Sequence, residues 1–598
     1  MNFRHLKSHL IPSTLAIGLS LTCSMAMAVD WPVFGGNWDH QRHTESTQIT
    51  RGNIEQLTTS WEFDTGVSSS FQATPIVVDG VMYVSLPFNH VVALQADTGK
   101  LIWRYNHERL KNRAMCCGPA NRGVAVSDGK VFMGTVDSRL LALDTKTGQK
   151  LWDVDVTLGE QGIQEDAASL GSQLSGQTDK QGGKLEVSGA SGAGINMAPM
   201  VFDGKVMVGI TGVGYGLHLD SPDPDAPLGA VVGIAGNYGR RGFMAAFDVD
   251  TGNLAWKFDT VPEKGWEGSF TKVTQDGVVL PRNIEQEKAA AAKYPDAWQY
   301  GGGSAWSTPA IDRENGILYF GTGNPSPQME GSSRPGDNLY TASLVALDVR
   351  TGALKWHYQQ VPHDQWGYDV ASPPVLFTTR HRGQQTLAVG QAGKTGWFYV
   401  HNRITGELLF KSEAFVPQNN MFTLPTEAGN VIYPGVIGGS NWSPVSVDEK
   451  RRMVFIAGIH WPVKYQLHEL KAKGNKPALK YSSMSPIEDG EKYGLLSAIH
   501  LDTGKLIWQH KVNAPLIGGV LSTATGLVLS GEGSGEFFAL DAQTGQRVWQ
   551  QDNSAGVNAP PISYEIKGKQ YFAVAVGGNK LFGFKQGQTI KAWALKSQ

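Results

Sequence analysis

The chain repeats one pattern of apolar and polar positions: an apolar run, a polar turn that contains Thr-Gly, and a second run that ends in an aromatic residue. Clear copies are ALDTKTGQKLW and ALDVRTGALKW, and a weaker copy, VHNRITGELLF, ends in Phe. A pattern that recurs along a chain is typical of a repeat architecture. Each copy predicts two β-strands around a tight turn, where Gly supplies the positive φ. The aromatic residue suits a position that packs one sheet against the next, so the sequence predicts an all-β fold, the β-propeller.

The spacing of the aromatic ends predicts the number of blades. An apolar strand at Trp61 lacks the Thr-Gly turn but lies one blade length before the next aromatic end. With it, the chain has eight such ends: Trp61, Trp103, Trp152, Trp256, Trp356, Phe410, Trp508 and Trp549. Two later apolar runs, PPISYEI and QYFAVAVGGNKLFGF, are expected to pair with the strand at Trp61 and close the ring, which leaves no free sheet edge. We predict eight blades, with seven as the alternative, and long insertions in three of them.

The N-terminus has the features of an export signal. Arg4 and Lys7 precede an apolar run from Leu10 to Thr22, and Ala-Met-Ala ends at residue 28 as a small-residue cleavage site. The apolar run is too short for a membrane span, and no later run is long enough for one. We therefore expect residues 1–28 to be a signal peptide and residues 29–598 to form a single propeller domain in the bacterial periplasm.

Composition narrows the possible functions. Apolar residues make up 41% of the chain, enough for a sizeable core, and the 72 glycines suit a fold with frequent turns. Removal of the signal leaves 50 of the 52 basic residues against 54 acidic ones, a formal net charge of −4. This balance gives no indication of nucleic-acid binding.

Two cysteines remain after the signal is removed, and they are adjacent. Cys116 and Cys117 lie in AMCCGPANRG. They are either two small buried residues or a vicinal disulfide. Neighbouring Cα atoms are about 3.8 Å apart, closer than the usual disulfide range of about 4.4–6.8 Å, so a bridge would strain the peptide. Such strain persists where function needs it, and an oxidising compartment favours the bridge.

CCGPANRG, the Thr-Gly…Trp repeats and a Trp-x-Tyr-Asp segment together resemble the quinoprotein dehydrogenases of the methanol, ethanol and membrane glucose dehydrogenase type. The resemblance covers about residues 30–590. It implies an eight-bladed propeller that binds pyrroloquinoline quinone (PQQ) together with Ca²⁺ or a lanthanide. It also implies that a disulfide between Cys116 and Cys117 covers one face of the quinone and that Trp306, in GGGSAWSTPAID, covers the other. Considered alone, Trp306 could be another packing tryptophan.

The resemblance assigns further residues to the cofactor. Arg122 matches the arginine that pairs with a PQQ carboxylate, a role that suits a planar guanidinium. Lys394 matches the cation near the quinone oxygens, where it would stabilise negative charge. Asn324 in GTGNPSP matches an amide ligand of the metal ion. The remaining cofactor-side positions are Gln72, Asn196, Thr211, Asn441 and Trp442.

Three carboxylates of the family are replaced in this chain. The catalytic Asp position, in HDQWGYD, is Gly367, which cannot take a proton, and the metal-binding Glu position, in GNYGRRGF, is Asn237. Gln72 in FQATP likewise stands where the family has Glu. Metal affinity follows ligand charge, so these changes predict weaker metal binding. Asp369, which matches an additional ligand of lanthanide-using members, is the first candidate for base or metal ligand, and Asp364 is the second candidate for the base, with a structural role as its alternative.

The implied reaction is the oxidation of an alcohol, polyol or sugar hydroxyl, in which a base takes the hydroxyl proton and hydride passes to the quinone. No Cys-x-x-Cys-His motif for a c-type haem occurs in the chain. We therefore expect a separate electron acceptor, a small cytochrome c. The insertion from Gly212 to Gly233 is expected at the mouth of the site, where it would shape substrate choice.

Two other functions stay open at this stage. One is a PQQ-binding protein that has lost catalysis, which the glycine at position 367 favours. The other is a propeller that serves as a protein-interaction scaffold. A scaffold needs none of Cys116, Cys117, Arg122, Trp306 and Lys394, so their joint presence argues against it.

Overall fold

The computed structural model describes residues 29–111, 115–158, 184, 186–188, 192–223, 225–226, 229–472, 474, 478–487 and 490–596. The expected signal peptide, residues 1–28, lies outside these ranges. Among the helices within them, none is long and apolar enough to cross a bilayer.

Within the described residues, the strands form eight sheets with four successive antiparallel strands each, which confirms the prediction of eight blades. Numbered along the chain, blades 1 to 4 contain the strands Leu57–Asp64, Ile562–Ile566, Lys569–Val576 and Thr589–Leu595; Ile76–Val78, Val81–Ser85, Val91–Gln95 and Leu101–Tyr105; Ala125–Ser127, Lys130–Gly134, Arg139–Asp144 and Lys150–Asp155; and Met200–Phe202, Lys205–Gly209, Phe243–Asp248 and Leu254–Asp259.

Blades 5 to 8 contain the strands Ala310–Asp312, Ile317–Gly321, Ser343–Asp348 and Leu354–Gln359; Val375–His381, Gln384–Ala392, Phe398–Asn402 and Leu408–Lys411; Ser446–Asp448, Met453–His460, Tyr493–His500 and Leu506–Val512; and Leu521–Thr523, Leu527–Gly531, Glu536–Asp541 and Arg547–Asp552. A short strand, His43–Thr44, adds to blade 8 in parallel with Leu521–Thr523.

The two ends of the chain close the ring in blade 1. The prediction that the first strand joins the last sheet is confirmed, but its direct partner was predicted wrongly. Leu57–Asp64 pairs with Thr589–Leu595, and the two predicted runs form the next strands of the same sheet. The partner strand contains Trp593, but it follows a long Gly-rich loop instead of the Thr-Gly turn, so the repeat pattern did not reveal it.

A repeated contact joins neighbouring blades, as the aromatic positions predict. The indole N–H of Trp256, for example, donates to the carbonyl of Val349 at 3.1 Å in the next blade. Its ring also covers the Thr-Gly turn of that blade: a Cβ on Gly352, where φ is +72°, would lie 2.6 Å from the ring. The equivalent indole-to-carbonyl bonds are Trp61–Ala96, Trp103–Thr145, Trp152–Val249, Trp356–Arg403 and Trp508–Ala542. We call this set of contacts the outer rim.

The segment before blade 1 runs along the first strands of several blades. Backbone amides of blades 5 to 8 donate to its carbonyls in chain order, through the pairs Ile311–Trp38, Leu376–Asp39, Val447–Gln41 and Ser522–Arg42. The guanidinium of Arg42 is fully buried and donates to the carbonyls of Phe34, Val520 and Pro561. This one segment thus connects the first strands of blades 5 to 8 to each other.

The long insertions predicted for three blades are present and carry small elements of their own. Two three-stranded sheets contain Glu186–Ser188, Leu217–Asp220 and Val231–Val232, and Asn430–Ile432, Val463–Leu470 and Leu479–Pro486. A bridge between Gly233 and Ser482 connects the second insertion region to the first. Among the residues that the structure describes, the helical elements are Ile54–Gln56, Pro87–Asn89, Ile284–Ala291 and Ala297–Tyr300.

Candidate functional site

The candidate side chains come from equivalent places in different blades. Each lies in the segment that enters the first strand of a blade, three to six residues before that strand begins. For blades 2 to 7 in order, these residues are Gln72, Arg122, Asn196, Trp306, Asp369 and Asn441. Because the first strands of the blades surround the centre of the ring, residues far apart in sequence converge there. We call this set of entry segments the inner edge.

The adjacent cysteines lie in the entry segment of blade 3. The bridge that the sequence favours is not formed in this structure, where Cys116 and Cys117 are free thiols with Sγ atoms 2.7 Å apart. Cys117 has a left-handed backbone (φ +61°), and the hydroxyl of Tyr215 lies 3.4 Å from its sulfur. The hydrogen bond from Cys116 lowers the pKa of Cys117 to about 7, although burial opposes this shift. Oxidation of the pair remains a prediction for the exported protein.

Asn196 and Thr211 border the cysteine pair. The Asn196 amide donates to the carbonyl of Cys116 at 3.5 Å, and the Thr211 hydroxyl lies 4.0 Å from the Cys116 sulfur. The Asn196 carbonyl in turn accepts from the amide of Arg122 at 3.0 Å. The two polar residues thus connect the thiols to Arg122.

Arg122 lies between two tryptophans. The guanidinium carbon is 5.1 Å from the ring centroid of Trp306 and 5.2 Å from that of Trp442, and Nη1 donates to the Trp306 carbonyl at 3.3 Å. The side chain is buried, and burial lowers its pKa to about 10. Its Nε is buried without a hydrogen-bond partner among the described residues, as is Oε1 of Gln72. These two unpaired polar atoms indicate a site for a polar ligand.

Asp369 is the point where the site residues meet. Its Oδ2 accepts from the indole N–H of Trp306 at 3.2 Å and lies 3.4 Å from Nζ of Lys394. Its Oδ1 accepts from the backbone amide of Asn324 at 2.9 Å. Lys394 also donates to the carbonyl of Gly367 at 3.0 Å. The structure therefore brings four of the predicted residues into direct contact.

Asp364 occupies a different position from Asp369. Its Oδ1 accepts from the amide of Trp366, and its Oδ2 accepts from the amides of Gly367 and Tyr368, at 3.0–3.1 Å. The carboxyl is fully buried, and burial raises its pKa to about 6. These contacts hold the turn that carries Gly367.

The other predicted residues frame this centre. The Asn324 amide donates to the carbonyls of Gly214 and Pro325, both at 2.9 Å. Asn237 is half-buried and precedes Tyr238, whose carbonyl accepts from Ser326 at 2.6 Å. The Asn441 amide donates to the carbonyl of Ile437, and its oxygen accepts from the amide of Trp442. Gln72 is buried, and two residues later the amide of Thr74 donates to the Arg122 carbonyl, which brings this segment next to Arg122.

An apolar wall beside the site was predicted only in part, through Trp306 and Trp442. Its buried members are Trp442, Ile459 and Ile517, against which the half-buried Trp306, Ile437, Trp461, Phe582 and Phe584 pack. The Phe582 ring meets Trp461 edge-on at 5.6 Å and lies 5.8 Å from the ring of Phe584. For the other members, the only sequence signal is a pair of aromatic residues within the Gly-rich loop of blade 1.

Tyr215 is another site residue that the sequence analysis did not predict. It lies three residues into the insertion from Gly212 to Gly233, and burial raises its pKa well above the usual value. Through Tyr215 and the carbonyl of Gly214, this insertion reaches both the thiol pair and Asn324.

Comparison with known proteins extends the similarity over the whole ring. A family described as "PQQ: Glucose/ethanol/alcohol dehydrogenase, beta-propeller domain" matches residues 31–421 and 411–572. The chain is 32% identical to the quinohemoprotein alcohol dehydrogenase ADH-IIG of Pseudomonas putida, over 92% of this chain and 73% of that protein. It is 30% identical to the dehydrogenase subunit of the alcohol dehydrogenase (quinone) of Acetobacter aceti, over 93% and 72% of the two chains.

Solved structures agree with these matches. The crystal structure of the quinohemoprotein alcohol dehydrogenase of Comamonas testosteroni superposes with a TM-score of 0.74 at 28% identity, over 95% of this chain and 81% of the other. A europium-containing methanol dehydrogenase superposes with a TM-score of 0.73 at 24% identity, over 95% and 98% of the two chains, and shares the fold.

Proposed function

The chain belongs to the family of PQQ-dependent glucose, ethanol and alcohol dehydrogenases, and on this basis we propose that it is a PQQ-dependent alcohol dehydrogenase. The observation that carries the proposal is the direct contact of Trp306, Lys394 and Asp369, next to a buried arginine with an unpaired N–H. The fold alone would not suffice, since one fold hosts many functions.

The residues of the site fit PQQ, a planar polycyclic quinone with three carboxylates. Arg122 offers an unpaired buried N–H and a planar guanidinium, which suits bidentate recognition of a carboxylate. Trp306 and the cysteine pair would cover the two faces of the ring system. Asn196, Thr211, Gln72, Asn441 and Trp442 would line its edges.

When bound, PQQ supplies the electrophilic carbonyl that accepts the hydride from the substrate carbon. Asp369 would take the hydroxyl proton at its Oδ2, the oxygen that faces both Trp306 and Lys394. A base must reach the hydroxyl directly or through one water. Asp364 would position Asp369 rather than take the proton. It accepts from three backbone amides and so holds the turn that leads to Asp369.

Lys394 would stabilise the negative charge that develops on the reacting oxygen. Lys394 as a residue is only 7% exposed, so water screens the charge of its ammonium group little. A preorganised cation in a dry site contributes more than the same charge in water.

The metal ion that the family resemblance implies does not fit these residues well. The predicted ligands Asn237 and Asn324 are neutral amides, and the only carboxylate among the three, Asp369, already accepts from two N–H donors and forms an ion pair with Lys394. Among the described residues, no three His, Cys, Asp or Glu side chains group as a metal site. No step of the proposed mechanism therefore uses a metal ion.

The apolar wall favours an alcohol with an apolar substituent over a polyol or a sugar. Phe582 and Phe584 offer only ring surface, and Trp461 adds a ring with a single indole N–H, so the wall has few hydrogen-bond partners for additional hydroxyl groups. Such a wall would bind the carbon chain of the substrate while Asp369 binds its hydroxyl.

The electrons would leave through a separate acceptor, for which a small cytochrome c is our proposal, because the chain carries no haem-attachment motif. We further propose that the signal at residues 1–28 is removed on export and that the propeller formed by residues 29–598 works in the periplasm. The relatives named as dehydrogenase subunits support an enzyme that works with a partner.

Reconstitution tests the proposed function. The purified mature protein, incubated with PQQ, should reduce an artificial electron-acceptor dye when a primary alcohol is added, and more slowly with glycerol or glucose. Saturable PQQ binding without any turnover would favour the protein that has lost catalysis, an alternative kept open by Gly367. Absence of PQQ binding would overturn the proposal.

A further inference from the structure

We propose that this protein binds PQQ without a metal ion and that the ammonium group of Lys394 supplies the permanent positive charge at the quinone. The inference rests on the proposed function. It concerns how the site compensates for the carboxylates that Asn237 and Gly367 replace.

The first observation is that the remaining carboxylate is occupied. Oδ1 of Asp369 accepts from the Asn324 amide at 2.9 Å, Oδ2 accepts from Trp306 Nε1 at 3.2 Å, and Lys394 Nζ forms an ion pair with Oδ2 at 3.4 Å. Asp369 is 7% exposed. A metal ion that binds Asp369 would lie close to the buried ammonium group of Lys394, which repels it, and would compete with the indole N–H for Oδ2.

The second observation is the geometry of Lys394. Its ammonium group carries three N–H donors. It donates to the Gly367 carbonyl at 3.0 Å and lies 3.4 Å from Oδ2 of Asp369. The group therefore has donor capacity left for an oxygen of a bound ligand. A cation held by one carbonyl and one carboxylate at the centre of the site occupies the electrostatic role that a metal ion would otherwise have.

The third observation is that a side chain at position 367 would be strained. The backbone there has φ +79°, and a Cβ would lie 2.4 Å from Nε2 of Gln328 and 2.8 Å from Cγ2 of Val436. Both neighbouring side chains would have to move to make room for a side chain. The glycine is therefore built into the packing of this site rather than being an isolated substitution.

The charges of the site agree with this assignment. Arg122 and Lys394 are buried, Lys394 contacts Asp369, and the second buried carboxyl, Asp364, accepts from three backbone amides. An additional divalent or trivalent ion would meet Lys394 at close range in a water-poor site, where like charges repel strongly.

A PQQ titration of the purified mature protein tests the inference. Quenching of tryptophan fluorescence is followed with a chelator present, and with Ca²⁺ or La³⁺ in excess. We expect the dissociation constant of the wild-type protein to differ by less than about threefold between these conditions. Elemental analysis of the complex should find no stoichiometric Ca²⁺ or lanthanide.

The variant Lys394→Met separates the lysine from the rest of the site. Without metal, its PQQ affinity should fall by about tenfold or more, as expected for loss of a charged hydrogen bond. Addition of Ca²⁺ or La³⁺ should restore part of that loss, because Asp369 is then free to bind a cation. Lys411→Met is the matched control, since Lys411 is a half-buried lysine paired with Asp276 outside the site, and it should bind PQQ like the wild type.

Each outcome decides the inference. Wild-type binding that requires a metal ion, or that strengthens tenfold or more with one, overturns it and leaves the proposed function intact. Equal affinity of Lys394→Met and wild type under chelation overturns the role of the lysine. Absence of PQQ binding under every condition overturns the inference together with the proposed function, a result distinguishable from both others.

Discussion

Equivalent positions of the blades carry the same contact at the outer rim and different residues at the inner edge of the ring. At the outer rim, the same contact recurs from blade to blade: an indole N–H donates to a carbonyl of the next blade, and the ring covers a glycine. At the inner edge, equivalent positions hold different residues, among them Gln72, Arg122, Trp306 and Asp369. Repetition therefore supplies the scaffold, and departure from repetition supplies the chemistry.

This difference leads to a separation of effects. The rim residues contact only other parts of the protein, whereas the inner-edge residues leave polar atoms unpaired, such as Nε of Arg122. Substitutions at the rim should lower stability and spare activity. Substitutions at the inner edge should lower activity and spare stability.

The largest effect is expected for Asp369→Asn, which keeps the shape of the side chain and removes the base. A positioned base contributes about 10²–10⁴-fold to a rate, so kcat should fall by that order while PQQ binding changes far less. Steady-state dye reduction and fluorescence titration measure the two effects. Asp312→Asn is the control, because Asp312 is a buried carboxylate paired with Arg403 outside the site. Unchanged turnover of Asp369→Asn would remove Asp369 from the mechanism.

The next effect concerns cofactor affinity. Arg122→Met should weaken PQQ binding by about 10–100-fold, because a hydrogen bond to a charged group contributes about 1.5–3 kcal/mol. Arg122→Lys keeps the charge but loses the planar fork, and it should recover only part of the loss. Fluorescence titration gives both affinities. Equal binding by Arg122→Met and wild type would contradict the assignment of Arg122 to the cofactor.

At the outer rim, Gly352→Ala should destabilise the protein without changing its turnover per folded molecule. The new Cβ meets the Trp256 ring at 2.6 Å, and overpacking of this kind costs about 1–3 kcal/mol. Gly80→Ala is the matched control: its φ is +77°, but no described heavy atom lies within 4 Å of the new Cβ. Chemical denaturation compares the two variants. Equal loss of stability would show that backbone strain, rather than the tryptophan contact, sets the cost.

The smallest effect is a shift in acidity at the cysteine pair. In the reduced protein, Cys117 should form thiolate as the pH rises through about 7, because the hydrogen bond from Cys116 stabilises the anion. Ultraviolet absorbance of the thiolate follows the titration. In Cys116→Ser, a hydroxyl group can still donate a hydrogen bond to Cys117. In Cys116→Ala, no side-chain donor is left at position 116, so the pKa of Cys117 should rise most in this variant. An unchanged pKa in Cys116→Ala would contradict the assigned cause.

A thiol assay before reduction tests the predicted bridge at the same site. The exported protein should show no free thiol until a reductant is added. We also expect Cys116→Ser to weaken PQQ binding while the fold stays intact. Global unfolding of that variant would assign the pair a structural role.

The parts of the fold that the sequence predicts are those made by local, repeated contacts. The Trp and Gly of each copy lie one blade apart, so their pattern predicts the eight blades and the contacts between them. The strand Thr589–Leu595 escaped prediction because its packing residue, Trp593, follows a loop without Thr-Gly. Its role depends on ring closure, which is a property of the whole chain.

The site shows the same limit. Arg122, Trp306, Lys394 and Asp369 are visible in the sequence because they lie in segments that resemble those of a family. The strain that a side chain would meet at position 367 depends on its left-handed backbone and on Gln328 and Val436, which only the folded chain brings to it.

The rest of the apolar wall was also missed, since Trp461 and Phe582 are remote in sequence and carry no motif. Packing between remote segments decides both this wall and the environment of position 367.

The most direct test of the account is a crystal structure of the PQQ complex grown with Ca²⁺ or La³⁺, with anomalous scattering used to locate metal ions. We predict one quinone against Trp306, with Nζ of Lys394 at one of its oxygens and no metal ion near Asp369. A metal ion coordinated by Asn237, Asn324 and Asp369, with Lys394 displaced, would contradict the account.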